Sequence, residues 1–125
     1  MTRILDPNPG QTRTIGPTTA AKLASRMIAA QSAVFNALPS GFASPTPLMV
    51  LLELLVAEDG GEWATLHQIE SGVDDTPSVT RRWIEALKAA GLIEQRAALL
   101  GLTAHGYDTV VAMLEGIYAA QRKLD

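Results

Sequence analysis

Residues 76–91 read TPSVTRRWIEALKAAG, and this stretch decides the fold. Thr76 followed by Pro77 is a hydroxyl N-cap with proline at the first helical position, and Gly91 is the stop signal at the other end. Between them Thr80, Trp83, Ile84, Leu87 and Ala90 recur at helical spacing and form a stripe to be buried. That registry turns Ser78, Arg81, Arg82 and Glu85, with Lys88 or Ala89, towards water. A short, sharply bounded helix with an arginine pair on its open face invites a search for the elements that would hold it.

Upstream, Trp63 to Ser71 predicts a short third helix with Leu66 and Ile69 inward, broken at Gly72. Before it, Thr46-Pro47 repeats the cap-and-proline signal and opens a second helix that runs to about Asp59 and ends at Gly60-Gly61. Pro39 to Pro45 is a loop. The stretch from Thr18 to Leu38 contains no Gly or Pro and predicts a long first helix, with Leu23, Met27, Ala30, Val34 and Leu38 on one side. Its other side is also apolar, through Ala20, Ala24, Ile28 and Phe35, so this helix must be covered on more than one side. Met1 to Pro17, interrupted by Pro7, Pro9, Gly10 and Gly16, predicts a flexible arm.

Downstream, Leu92 to Arg96 and Leu99 to Leu102 flank Ala97-Ala98 and predict a hairpin of only one or two residue pairs, because alanines are poor turn residues. Thr103 caps a last helix, in which Tyr107, Val110, Val111, Leu114, Ile117 and Tyr118 form a wide apolar stripe. The order is helix, helix, short helix, turn, arginine-bearing helix, small hairpin, helix. That is a mainly α winged helix-turn-helix order, in one domain of residues 18–125, with the fourth helix projecting as a ridge narrow enough for a major groove.

Three stretches resemble the MarR-like winged-helix transcriptional regulators: Ser78 to Leu87, the helix exit Ala90-Gly91-Leu92-Ile93-Glu94, and the junction Leu102-Thr103-Ala104-His105-Gly106. The resemblance covers roughly Pro47 to Glu115. It implies a homodimer joined through residues 18–38 and 104–123, a DNA-reading core over 46–103, and double-stranded DNA as partner. A partner chain would bury the surplus apolar face of the first helix. The DNA-binding residues expected are Thr76, Ser78, Val79, Arg81, Arg82 and Arg96. The sequence departs from the family at the wing, which offers Arg96 and no second basic residue. A small-molecule effector is compatible with the resemblance, but no residue identifies one.

Composition bounds the alternatives. The 125 residues are 47% hydrophobic, 18% charged and 5% aromatic, which suits one globular domain; no apolar run has the length of a membrane span. The first residues have no signal-peptide pattern, so the expected compartment is the cytoplasm. With no cysteine and two histidines, thiolate chemistry is absent. His67 with Glu70, and His105 with Asp108, are too few ligands for a metal site and read as surface residues. The pairs Glu58-Asp59 and Asp74-Asp75 lack an activated nucleophile, and no glycine spacing makes a phosphate cradle. No enzyme, cofactor or metal is expected.

Each functional residue also has an ordinary role to weigh. Arg81 and Arg82 could pair with Asp74, Asp75 or Glu85 on a solvated face; Ser78 could serve local capping instead of donating to a phosphate; Trp83 belongs to the core. The net charge is −3. From Glu62 to Thr103, Arg81, Arg82, Lys88 and Arg96 face six acidic residues, a local excess of two negative charges. That balance predicts modest, salt-sensitive DNA binding. It also motivates a second reading, a winged-helix protein-interaction module that does not read DNA.

Overall fold

The computed structural model describes residues 16–123, so the expected arm with its Arg3 and Arg13 lies almost wholly outside the described residues. Five helices and a small sheet follow one another as α1 (Pro17–Ala37), α2 (Pro45–Asp59), β1 (Ala64–Thr65), α3 (Leu66–Gly72), α4 (Pro77–Ala89), β2 (Ile93–Arg96), β3 (Leu99–Leu102) and α5 (Ala104–Arg122). The sheet is antiparallel with order β1-β3-β2.

The local chemistry sets the helix ends. Proline stands at the start of α1, α2 and α4, where its missing N–H has no intrahelical partner to lose. α3 opens with a capping box: the Gln68 N–H donates to Thr65 Oγ1 at 3.1 Å, and the Thr65 N–H donates back to Gln68 Oε1 at 2.8 Å. α4 closes in a Schellman motif. Gly91 takes a φ of +77°, its N–H donates to the Lys88 carbonyl, and the Leu92 N–H donates to the Leu87 carbonyl, both at 3.0 Å. The flanking Leu87 and Leu92 are both fully buried, which turns the chain sharply from helix into wing.

One core unites the elements. Val50, Leu51 and Leu54 of α2, Ile69 of α3, Ile84 and Leu87 of α4, Leu100 of β3, and Val110 and Met113 of α5 are all buried in it. At about 1.5–3 kcal/mol per fully buried aliphatic side chain, this cluster is what holds α4 against α2 and β2. Thr80 is buried with them, and its hydroxyl has no hydrogen-bond partner. Thr80→Val keeps nearly the same shape and removes that orphan, so it is expected to raise stability by about 1 kcal/mol in a denaturant titration.

Several expectations need correction. The third helix begins at Leu66, not Trp63, because Ala64 and Thr65 pair with Leu100 and Leu99 as a third strand. Two residues are too few to show a strand period, and their partner lies more than thirty residues away. The hairpin is four residue pairs long, Ile93↔Leu102 to Arg96↔Leu99. Ala97 accepts a φ of +55°, and burial of Ile93, Leu100 and Leu102 outweighs the poor turn residues. α2 begins at Pro45 after Ser44, whose carbonyl accepts the Leu48 N–H at 3.2 Å, and the Thr46 hydroxyl donates to Asp75 instead of capping the helix. α1 begins at Pro17, and on it Leu23 and Met27 are exposed although Val34 and Leu38 are buried. Ala90 is exposed at the end of α4, because the stripe leaves the core there. On α5 the expected stripe divides: Val110 is buried, whereas Tyr107, Leu114 and Tyr118 are exposed.

Candidate nucleic-acid interface

α4 and its cap carry five of the six expected residues, Thr76, Ser78, Val79, Arg81 and Arg82, while Arg96 lies apart at the end of β2. Thr76 caps it, its Oγ1 accepting from the Val79 N–H at 3.3 Å. With Thr80, Ile84 and Leu87 buried, a period of 3.6 residues puts Ser78, Arg82, Glu85 and Ala89 along the centre of the outward face. Ser78, Arg81, Arg82, Glu85 and Ala89 are exposed; Val79 is half-buried. Trp83, also half-buried, meets Phe42 edge to face with ring centroids 6.0 Å apart, so it anchors α4 to the α1–α2 loop.

The cations differ in what they touch. Arg81 leans towards α3, where its Nε donates to Glu70 Oε2, and this carboxylate raises the arginine's pKa above its ordinary value. Neither Asp74, Asp75 nor Glu85 is the partner, as adjacency in sequence had suggested. Lys88 spans two elements: its Nζ lies 3.1 Å from Glu85 Oε2 and donates to Gln95 Oε1 of β2 at 2.9 Å. Arg96 of the wing stacks over the Trp63 ring at 4.8 Å and lies 3.6 Å from Glu94 Oε1. For Arg82 no ion pair occurs among the described residues.

Asp75 sits at the foot of α4 and accepts from the Thr46 hydroxyl at 2.7 Å and from the Thr76 N–H at 2.8 Å. Those two bonds, with a smaller contribution from the Arg82 charge, hold its carboxyl below the ordinary 3.8. A depressed folded-state pKa gives stability that is present above the unfolded value and lost as pH falls through the folded one. Asp75→Asn is therefore expected to lower Tm at pH 6, and the difference from wild type should close as pH falls below about 4. A Tm difference that persists undiminished in acid would show that the charge contributes nothing.

Residues that sequence reading missed act as partners. Glu70 belongs here because α3 delivers it to Arg81, and Trp63 because the pairing of β1 with β3 carries it over the wing. Gly101 completes that arrangement: a Cβ there would meet the Trp63 ring at 2.9 Å, so only glycine lets the indole lie flat on the strand. None of these juxtapositions is local in sequence. His67 and His105 are exposed, and among the described residues no group of three metal-ligating side chains is found.

Among the described residues, no helix is long and apolar enough to cross a membrane. No protein-family profile matches the sequence, and no curated protein resembles it significantly. Solved structures do match. A MarR family transcriptional regulator from Silicibacter pomeroyi superposes with a TM-score of 0.57 at 12% identity, covering 86% of this chain and 74% of that one. RV1404 from Mycobacterium tuberculosis gives 0.65 at 22% identity over 86% and 75%. BpsR of Bordetella bronchiseptica, whose DNA binding is regulated by 6-hydroxynicotinic acid, gives 0.52 at 16% identity over 91% and 84%. The five helices, the three-stranded wing sheet and these superpositions together give the chain a MarR-like winged-helix fold.

Proposed function

We propose that the protein is a non-enzymatic, DNA-binding transcriptional regulator that acts as a homodimer and inserts one α4 per subunit into successive major grooves. The observation that carries the reading is the outward face of α4: an exposed cation, Arg82, flanked by Ser78 and the capped helix start at Thr76, on a frame shared with DNA-binding regulators. In this arrangement Ser78, the first amides of α4 and Arg82 meet phosphates, Val79 faces base edges, and Arg96 reaches a flanking phosphate. Stacking on Trp63 pre-orients Arg96 while leaving its side chain 73% exposed.

Dimerisation accounts for what the isolated chain leaves open. Ala24, Met27, Ile28 and Phe35 share one face of α1; Met27 is 74% exposed, Ile28 68% and Phe35 66%. Apolar exposure of this density on a helix already packed against α5 marks a surface for association. Two subunits would place half-site centres roughly 34–36 Å apart, one helical turn.

Selection of genomic fragments by the purified protein, with light scattering on the same sample, tests partner class and stoichiometry together. The expected products are a pseudo-palindromic site and the mass of two chains. Arg82→Ala should weaken binding to that site by about tenfold to a hundredfold in a gel-shift titration, at about 1.5–3 kcal/mol for a lost hydrogen bond to a charged group, with Tm unchanged. The acidic balance of the reading side favours the interaction-module alternative. Retention of no duplex at low salt, with a protein partner co-purifying, would establish that alternative and remove the regulator reading.

A further inference from the structure

α4 and the wing carry four cations, Arg81, Arg82, Lys88 and Arg96, yet the structure does not treat them alike. Lys88 and Arg96 each have a carboxylate of their own element within 4 Å, and both pairs are solvated. Such pairs are weak and exchange readily with solvent. The Arg81–Glu70 pair is different in kind. With the pair formed, the Glu70 side chain is only 13% exposed and that of Arg81 60% exposed, so the guanidinium lies over a carboxylate that has little water of its own. For Arg81 to turn to a DNA phosphate it would have to abandon a charge-assisted hydrogen bond and leave that carboxylate without its counter-charge, beside a polyanion. Arg82 has no such tie among the described residues and stands at the centre of the outward face.

We propose that Glu70 withholds Arg81 from the duplex, so that Arg81 is a positioning residue tying α3 to α4, while Arg82 is the cation that each α4 presents to DNA. The inference rests on the regulator reading above and divides the labour within it. Two adjacent arginines acquire separate roles because only Arg81 pairs with a residue of α3. The acidic residue of the short helix thereby sets how many phosphates the reading helix neutralises.

The slope of log binding constant against log salt concentration measures this directly, since each phosphate contact contributes roughly 0.9 to it. A structural change that merely loosens the fold shifts affinity without adding counterion release. Wild type, Arg81→Ala, Arg82→Ala, Glu70→Gln and the double variant Glu70→Gln/Arg81→Ala are titrated on one duplex. Arg82→Ala should flatten the slope by about 1 per subunit, and Arg81→Ala should leave it unchanged. Glu70→Gln should steepen it by about 1 per subunit and tighten binding at low salt, and the double variant should return to the wild-type slope. Arg81→Ala flattening the slope as much as Arg82→Ala does, or Glu70→Gln leaving it unmoved, overturns the division while the regulator reading stands. Should Glu70→Gln fail to fold, the Arg81→Ala slope decides alone. Absence of duplex binding by wild type at low salt overturns both readings together.

Discussion

Gly106→Ala is expected to cost at least about 3 kcal/mol, at or beyond the upper end of ordinary overpacking, and to lower Tm by on the order of 10 °C or more. The first turn of α5 lies directly on the end of the α4-to-wing turn. A Cβ at position 106 would fall 1.8 Å from the Leu92 carbonyl oxygen and 2.8 Å from its carbonyl carbon. Both are backbone atoms, and neither can swing aside as a side chain would. The Leu92 carbonyl is also the acceptor for the Thr103 N–H at 3.1 Å, and Thr103 Oγ1 donates to the Gly91 carbonyl at 2.6 Å while accepting from the Gly106 N–H at 2.9 Å. Moving α5 away therefore breaks the cap that starts it. Intrinsic helix propensity favours alanine by about 1 kcal/mol, so the measured loss is what remains after that gain. Thermal melts followed by circular dichroism provide the check; an unchanged or raised Tm would mean that α5 does not sit on Leu92 as described.

Phe35→Asp is expected to convert the proposed dimer into a folded monomer and, with it, to abolish tight binding to a two-half-site duplex. Phe35 is 66% exposed in the single chain, so the substitution removes little from the subunit's own core. In a two-fold interface each change occurs twice, and burial of a phenylalanine is worth about 1.5–3 kcal/mol per copy. At about 1.4 kcal/mol per tenfold, the dimer dissociation constant should rise on the order of a thousandfold, before the added cost of burying a carboxylate. Sedimentation or light scattering should show half the mass with the helical circular dichroism signal retained. Wild-type protein that already sediments as one chain would rule out this use of α1.

How far the sequence could be read follows from how local each signal is. The Thr76-Pro77 start of α4, its Gly91 stop and the spacing of Thr80, Ile84 and Leu87 depend on neighbours within one or two helical turns and appear in the structure as expected, whereas Trp83 is only half-buried and Ala90 exposed. The junction Thr103-Ala104-His105-Gly106 was visible as a motif, but the reason for its glycine, a backbone oxygen against the helix, became evident only from packing. β1 could not be read, because two residues acquire strand geometry only by pairing with Leu99 and Leu100. The same non-locality hid the partners of the cations. Arg81 was weighed against Asp74, Asp75 and Glu85, yet it binds Glu70 eleven positions back, because the α3–α4 turn folds one helix beside the other. Trp63 beneath Arg96 depends on the sheet in the same way.

The central claim, that the outward face of α4 from two copies sits in the grooves of one duplex, is open to a direct spatial measurement. The chain contains no cysteine, so Ala89→Cys, on the exposed end of that face, supplies a single thiol for a tethered iron–EDTA cleavage reagent. On a selected duplex the account predicts two discrete clusters of strand cleavage, centred roughly 34–36 Å apart. The same reagent at Asn36→Cys, on α1, should give none. Absence of cleavage from position 89 on a bound duplex, or an identical diffuse pattern from both positions, would contradict it.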